Sequence, residues 1–165
     1  ATTDGLTGLY NHRYLHERLQ EELERCRRRD GQLSVLFCDC DLFKEYNDAH
    51  GHKSGDAALG RIARIFEANS RRTDLAARYG GEEFVLALVD TGADGARTVA
   101  ETLRREIEEA CGRRGRPLTV SIGIATFPDD AEDGRELVEA ADRALYRAKE
   151  GGRNRVVAAV ADGTD

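Results

Sequence analysis

The stretch from Leu75 to Val89 constrains this chain more than any other. It holds two strand-like runs, Leu75 to Tyr79 and Glu82 to Val89, separated only by Gly80-Gly81. Two residues cannot make a crossover, so the chain must reverse and pair the runs as an antiparallel hairpin. Both central positions of such a turn favour positive φ, which glycine adopts without steric cost, and the pair is predicted in that conformation. Apolar periodicity supplies the other elements. Leu15, Leu19, Leu23 and Cys26 recur at helical spacing and predict a first helix from about Arg13 to Arg29, stopping before Asp30-Gly31. Leu33 to Cys38 reads as a strand buried on both faces, ending abruptly in Asp39, Cys40 and Asp41. A second helix, about Gly55 to Asn69, turns Leu59, Ile62, Ala63 and Phe66 to one side. Past the hairpin, Ala96, Val99, Ala100, Leu103 and Ile107 mark a third helix, and Leu118 to Phe127 a fourth strand. Leu137, Ala141, Ala144, Leu145 and Ala148 mark a fourth helix, and Arg155 to Val160 a fifth strand. Pro117 and Pro128 fall in connections.

The core order is therefore βαββαβ, a ferredoxin-like palm in the α/β (α+β sandwich) class, with an antiparallel-containing central sheet flanked by helices. A right-handed crossover makes strands one and two parallel, and strand three returns antiparallel between them. The C-terminal end of strand one, at Asp39, then lies beside the start of strand three, at Glu82.

Length and charge limit what such a fold can do. At 165 residues, 40% hydrophobic and 34% charged, the chain is read as a single domain over residues 1–165. A net charge of -6 argues against a nonspecific grip on nucleic acid, which needs a basic surface to release counterions. No apolar run is long enough to cross a bilayer, so a cytoplasmic domain without direct membrane contact is expected, whatever anchors the full-length protein. Cys26, Cys38, Cys40 and Cys111 match neither zinc-site nor disulfide-framework spacing and are expected to be reduced. The chain opens almost directly on a motif-like block, Asp4 to Asn11. It is expected to be the module of a longer protein whose N-terminal regulatory domain is absent.

Asp39 and Glu82, with Asp41 or Glu83 beside them, are expected to converge, and unpaired carboxylates so placed repel and raise each other's pKa. A cation resolves the conflict. Hard oxygen ligands point to Mg²⁺, with Mn²⁺ a possible substitute, and Mg²⁺ completes its shell with water and phosphate oxygens, so a triphosphate substrate fits. Single acids at strand ends are ordinarily only solvated; here four flank two tight turns. Leu42-Phe43-Lys44 turns away from the sheet and offers backbone N–H groups and one ammonium to phosphate. Lys149 and Arg153 flank Gly151-Gly152 at the end of the fourth helix, where their local role is to favour its negative terminus.

Four blocks together resemble the GGDEF-domain diguanylate cyclases: Asp4-Gly5-Leu6-Thr7-Gly8-Leu9, Asp39 to Asp56, Arg78 to Phe84, and Lys149 to Asn154. The resemblance implies condensation of two GTP into cyclic di-GMP and two pyrophosphates across an antiparallel homodimer, each subunit presenting one GTP. By position, Asp39, the backbone carbonyl of Cys40, and Glu82 resemble metal ligands. Glu83 resembles a second-metal ligand or the proton acceptor, and is catalytic in either role. Leu42 and Phe43 by their backbones, and Lys44, Lys149 and Arg153 by their side chains, resemble triphosphate contacts, with Lys44 also counted as catalytic. Asn47, His52 and Asp56 occupy guanine-recognition positions, and the Asp56 carboxylate can accept from both N1–H and the exocyclic amine. Arg71 and Asp74 fit an RxxD product-inhibition motif, to be completed by an arginine of the next helix, Arg97 or Arg104.

Two departures stand out. Glu82-Glu83 replaces the family's Asp-Glu and keeps the carboxylate; His12 sits between Asn11 and Arg13, away from the expected chemistry. The alternative is a non-catalytic module sensing GTP or cyclic di-GMP, whose usual sign is loss of the acidic residues, and here they are intact. A purine cyclase or polymerase-like palm would lack the Lys149 to Asn154 block and the RxxD pair.

Overall fold

The computed structural model describes residues 1–112 and 118–160; Pro117 lies outside them. Every residue of strand β1 (Leu33–Cys40) is buried, as expected for a central strand, and its side chains divide between two cores. Leu33, Val35 and Phe37 join one cluster; Leu36, Cys38 and Cys40 join the other. That period of two makes the sheet the middle layer of a three-layer sandwich. Helix α1 (His12–Arg28) covers the first face with Leu15, Leu19 and Leu23, and helix α5 (Gly134–Glu150) covers it with Leu137, Ala141 and Leu145. Helix α3 (His52–Ala68) and helix α4 (Ala93–Cys111) cover the second, through Leu59, Ile62, Phe66, Leu103 and Ile107. The four helical stripes are those the sequence predicts.

Strands β2 (Leu75–Arg78), β3 (Glu83–Leu88), β4 (Val120–Phe127) and β5 (Val156–Ala158) complete a five-stranded sheet in the order β2-β3-β1-β4-β5. β3 lies between β1 and β2 and runs antiparallel to both, so β1 and β2 are parallel, as the split crossover requires. β4 pairs antiparallel with β1 and parallel with β5.

Three expectations need correction. β1 does not end at Cys38, because Asp39 and Cys40 continue in register with Ser121 and Val120 of β4. Next, an additional helix, α2 (Phe43–His50), precedes α3, which begins at His52 rather than Gly55. The two helices meet at Gly51, whose φ of 87° breaks one from the other. Lastly, neither Gly80 nor Gly81 has positive φ; the loop spans residues 79–82 and is wider than a two-residue turn. Gly80 leaves room for the Glu83 carboxylate, which a Cβ there would displace.

Candidate active site

Strand register builds the acidic centre. Asp39 sits directly opposite Glu83 in the β1–β3 ladder, and the Cys40 N–H donates to the Glu82 carbonyl at 3.1 Å. The expected meeting of strand one with strand three is therefore observed. From the last turn of α5, Lys149 Nζ reaches Asp39 Oδ2 at 2.9 Å, a contact the dipole reading of Lys149 does not foresee. Asp39, Glu83 and Lys149 line a cleft of about 380 Å³ with Asp142, Arg143 and Tyr146. Asp142 was missed from the sequence. It lies seven residues before Lys149, two helical turns along the same face, which was the available signal.

Burial, before any other cause, holds the carboxyls of Asp39, Glu82 and Glu83 above their usual range. Asp39 then adds to the rise at Glu82 and Glu83, Asp142 adds to it at Glu83, and Lys149 opposes it at all three. Among the described residues, no three His, Cys, Asp or Glu side chains are gathered closely enough to hold a metal by themselves. That still fits Mg²⁺, which takes few protein ligands, all oxygen. The half-buried acids, with one ammonium against Asp39, are a donor set short of positive charge.

Asp41 takes a different part from the one considered for it. Its Oδ1 accepts from the Ser121 hydroxyl at 2.6 Å, and its Oδ2 from the Thr119 hydroxyl at 2.7 Å and the Asn154 N–H at 3.0 Å. The buried carboxylate is thus saturated by β4 and by the loop after α5. Asp41→Ala is expected to destabilise the chain by about 2 kcal/mol, since two hydroxyls and an amide lose their acceptor; urea unfolding measures it, and an unchanged midpoint would discard this role.

Asp41 also floors a second cleft of about 400 Å³, lined by Leu42, Tyr46, Gly152 and Arg153. Leu42 and Arg153 hold left-handed backbone, with φ of 52° and 65°, which costs an L-residue about 1 kcal/mol. Leu42 is the N-cap of α2 and gives no side-chain cap to that helix. Lys44 is exposed on its first turn, and Asn47 lies one turn further. Asn47 Oδ1 is the only buried side-chain polar atom without a hydrogen-bond partner among the described residues. It faces Gly55, where a Cβ would collide with it. Asp56 and His52 are exposed on the first turns of α3. Asp39, Glu82, Glu83 and Lys149 are thus brought together, whereas Leu42 and Arg153 line the second cleft and Asn47 lies on the short α2 helix.

Arg71 and Asp74 are not part of this assembly. Asp74 precedes β2 and lies at the end of the β2–β3 pair away from the tip, a strand length of roughly 13 Å. Its side chain is 1% exposed, so the pair is not a solvated turn salt bridge. Asp74 accepts from the Arg71 N–H at 2.8 Å, from the Arg71 guanidinium at 3.1 Å and from the Val89 N–H at 3.2 Å. The guanidinium also donates to the Val89 carbonyl and to Thr91. Arg104 is bound to Glu101 and Asn154, whereas Arg97 is exposed.

The Asp4 block acquires a function that the sequence did not reveal. Asp4 Oδ2 accepts from the N–H and hydroxyl of Thr7, both at 2.8 Å, and the carboxylate meets Arg78 at 3.2 Å. Arg78 in turn donates to the Gly81 carbonyl at 2.8 Å. The N-terminal turn thereby braces the acidic tip.

A five-stranded palm with strand-end carboxylates, flanked by lysine and arginine, defines the class of this domain. Residues 1–155 match the family model described as "Diguanylate cyclase, GGDEF domain", and the chain belongs to that family. It is 41% identical over 163 residues to diguanylate cyclase A of Treponema denticola, covering 94% of this chain and 44% of that protein. The GGDEF domain of DgcB from Caulobacter crescentus, solved in complex with c-di-GMP, superposes with a TM-score of 0.89 at 34% identity, covering 95% of this chain and 92% of that one. The active GGEEF domain of a diguanylate cyclase from Vibrio cholerae superposes with a TM-score of 0.85 at 30% identity, covering 91% and 97%. No described helix is long and apolar enough to cross a membrane, and the four cysteines are free and buried.

Proposed function

We propose that this domain condenses two GTP into cyclic di-GMP, releasing two pyrophosphates, with the two nucleotides presented by the two subunits of an antiparallel homodimer. The observation that carries the reading is the register of Asp39 opposite Glu83, with Lys149 against Asp39. Asp39, the Cys40 carbonyl, Glu82 and Glu83 would hold Mg²⁺ or Mn²⁺, which when bound supplies a Lewis acid for phosphate oxygens and lowers the pKa of the attacking hydroxyl. The GGEEF spelling of the Vibrio cholerae domain supports Glu82 as a competent replacement for aspartate.

The residues then divide the work. Lys149 and Arg153, with Lys44 and the Leu42-Phe43 backbone at the start of α2, neutralise and orient the triphosphate. Asn47 Oδ1, buried and unpartnered, accepts from guanine, and Asp56 accepts from N1–H and the exocyclic amine. Adenine lacks that pair of donors. His52, beside them on α3, closes the base site. The 3'-oxygen of each GTP forms a bond to the α-phosphorus of the other, and the α–β bridging bond breaks with departure of pyrophosphate. Glu83 takes the hydroxyl proton, a task that needs a carboxylate within reach of the attacking oxygen.

Product inhibition is assigned to Arg71. Its guanidinium is more than half exposed, while Asp74 is saturated and holds it in place. Exposed Arg97 is the freer second arginine, and the c-di-GMP complex of the DgcB domain supports a product site on this fold.

The test is to tether the purified domain into dimers, supply GTP and Mg²⁺, and identify products by mass spectrometry. Cyclic di-GMP and pyrophosphate are expected. An enforced dimer that binds GTP and makes neither would be a sensing module instead.

A further inference from the structure

Arg78 braces the acidic tip from the Asp4 side, and Tyr79 reaches the opposite side. Tyr79 is the last residue before Gly80-Gly81, and its N–H donates to the Glu83 carbonyl at 2.7 Å. Its ring lies edge-on to His12 at 4.2 Å and to Phe37 at 5.0 Å. Its hydroxyl is 2.9 Å from His16 Nε2. Both histidines project from the first turns of α1, one turn apart, with ring centroids 4.8 Å from each other. His12 therefore packs against the residue that opens the tip loop, outside the acidic cleft itself.

The surroundings keep both partners of this hydrogen bond uncharged. Burial, first, raises the Tyr79 phenol, which keeps its proton. Burial, and then the charges of His12 and Arg135, hold His16 below its usual value, which favours a neutral ring that can pair with the phenol through Nε2. His12 on α1, Tyr79 from the loop, and Arg135 with Glu139 on α5 line the same cleft of about 640 Å³ around His16.

We propose that His16 is a positioning residue for the Glu82-Glu83 tip, acting through the Tyr79 hydroxyl and backbone while the His12 ring packs against the phenol. Residues 79–82 lie outside the strands and are held by the backbone bonds from Tyr79 to Glu83 and from Cys40 to Glu82, to which the Tyr79 side chain adds an anchor at the loop's start. Small displacements of a reacting group are costly, which gives a distant hydrogen bond its leverage. The inference rests on the cyclase reading only for its kinetic consequence; the anchoring itself does not depend on it.

Four variants test it: His16→Leu, His16→Gln, Tyr79→Phe, and the Leu/Phe double. In the tethered dimer, His16→Leu and Tyr79→Phe are each expected to lower kcat roughly five- to tenfold, the worth of one net hydrogen bond, with the KM for GTP within about twofold. Glutamine places an amide near the Nε2 position and should restore most of kcat. The double variant should lose no more than either single. Amide hydrogen exchange read by mass spectrometry should quicken at residues 79–83 in both single variants and stay unchanged in the β1 and β4 core. Losses that multiply in the double variant, equal losses for leucine and glutamine, or unchanged exchange at the tip would each overturn the proposal. If the parent dimer makes no cyclic dinucleotide, the cyclase reading falls, and the exchange measurement still decides whether His16 anchors the tip.

Discussion

Glu83→Gln is expected to lower cyclic di-GMP formation by a factor on the order of 10²–10⁴, the range that follows loss of a positioned proton acceptor. Glutamine fills the same space beside Gly80 and leaves the β1–β3 ladder intact, so GTP affinity should stay close to that of the parent. The same change is expected to raise the thermal midpoint in metal-free buffer at pH 7. The Glu83 carboxyl is raised above its ordinary 4.5 by burial, then by Asp39 and Asp142, so the folded state binds its proton more tightly than the unfolded chain does. The stability this confers is present at acid pH and is lost as pH rises through the folded pKa. At pH 7 the ionised side chain is thus a net burden, which glutamine removes, and the gain should vanish toward pH 4. Higher stability with lower turnover would mark Glu83 as a residue kept for chemistry. Turnover within threefold of the parent would remove it from the mechanism, and a lower midpoint at pH 7 would contradict the electrostatic account.

The sequence carried the meeting of Asp39 with the Glu82-Glu83 tip because it depends only on strand order and chain direction. A short apolar run ending in acids and a hairpin whose second strand begins in acids suffice once β3 must return between β1 and β2. What escaped detection was either short or settled by tertiary contacts. Helix α2 has eight residues and buries only Phe43, too little apolar pattern to register a period. Gly80 was read as a conformational necessity, but its φ is not positive, and what it adjoins is the end of the Glu83 side chain. Asp41 looked like a member of the acidic cluster, but just past the end of β1 its carboxylate is taken up by Thr119, Ser121 and Asn154, which are far from it in sequence. Lys149 was legible as a helix-end charge; its partner depends on how closely α5 lies on the sheet.

That closeness rests on Gly123, and Gly123→Ala is expected to cost about 4 kcal/mol or more, beyond ordinary overpacking. A Cβ at this position would fall onto backbone: the Ala141 carbonyl oxygen, the Leu145 nitrogen, and the Ala144 carbonyl carbon at 2.9 Å. Backbone atoms within a helix cannot swing aside as a side-chain end can, so α5 would have to lift bodily from β4. The helix meets the sheet with Ala140, Ala141, Ala144 and Ala148, small residues that allow this approach and leave no slack to absorb a methyl. Lifting α5 would also draw Lys149 from Asp39 and shift the loop bearing Arg153, so surviving protein should lose GTP affinity as well as stability. Gly60→Ala is the matched control. It lies within α3 with nothing within 4 Å of its added Cβ, and alanine there should stabilise by about 0.5–1 kcal/mol. Urea unfolding of both variants against the parent gives the comparison. Opposite signs are expected, and a Gly123→Ala midpoint equal to that of the parent would show that α5 is free to move and that Lys149 is not placed by this contact.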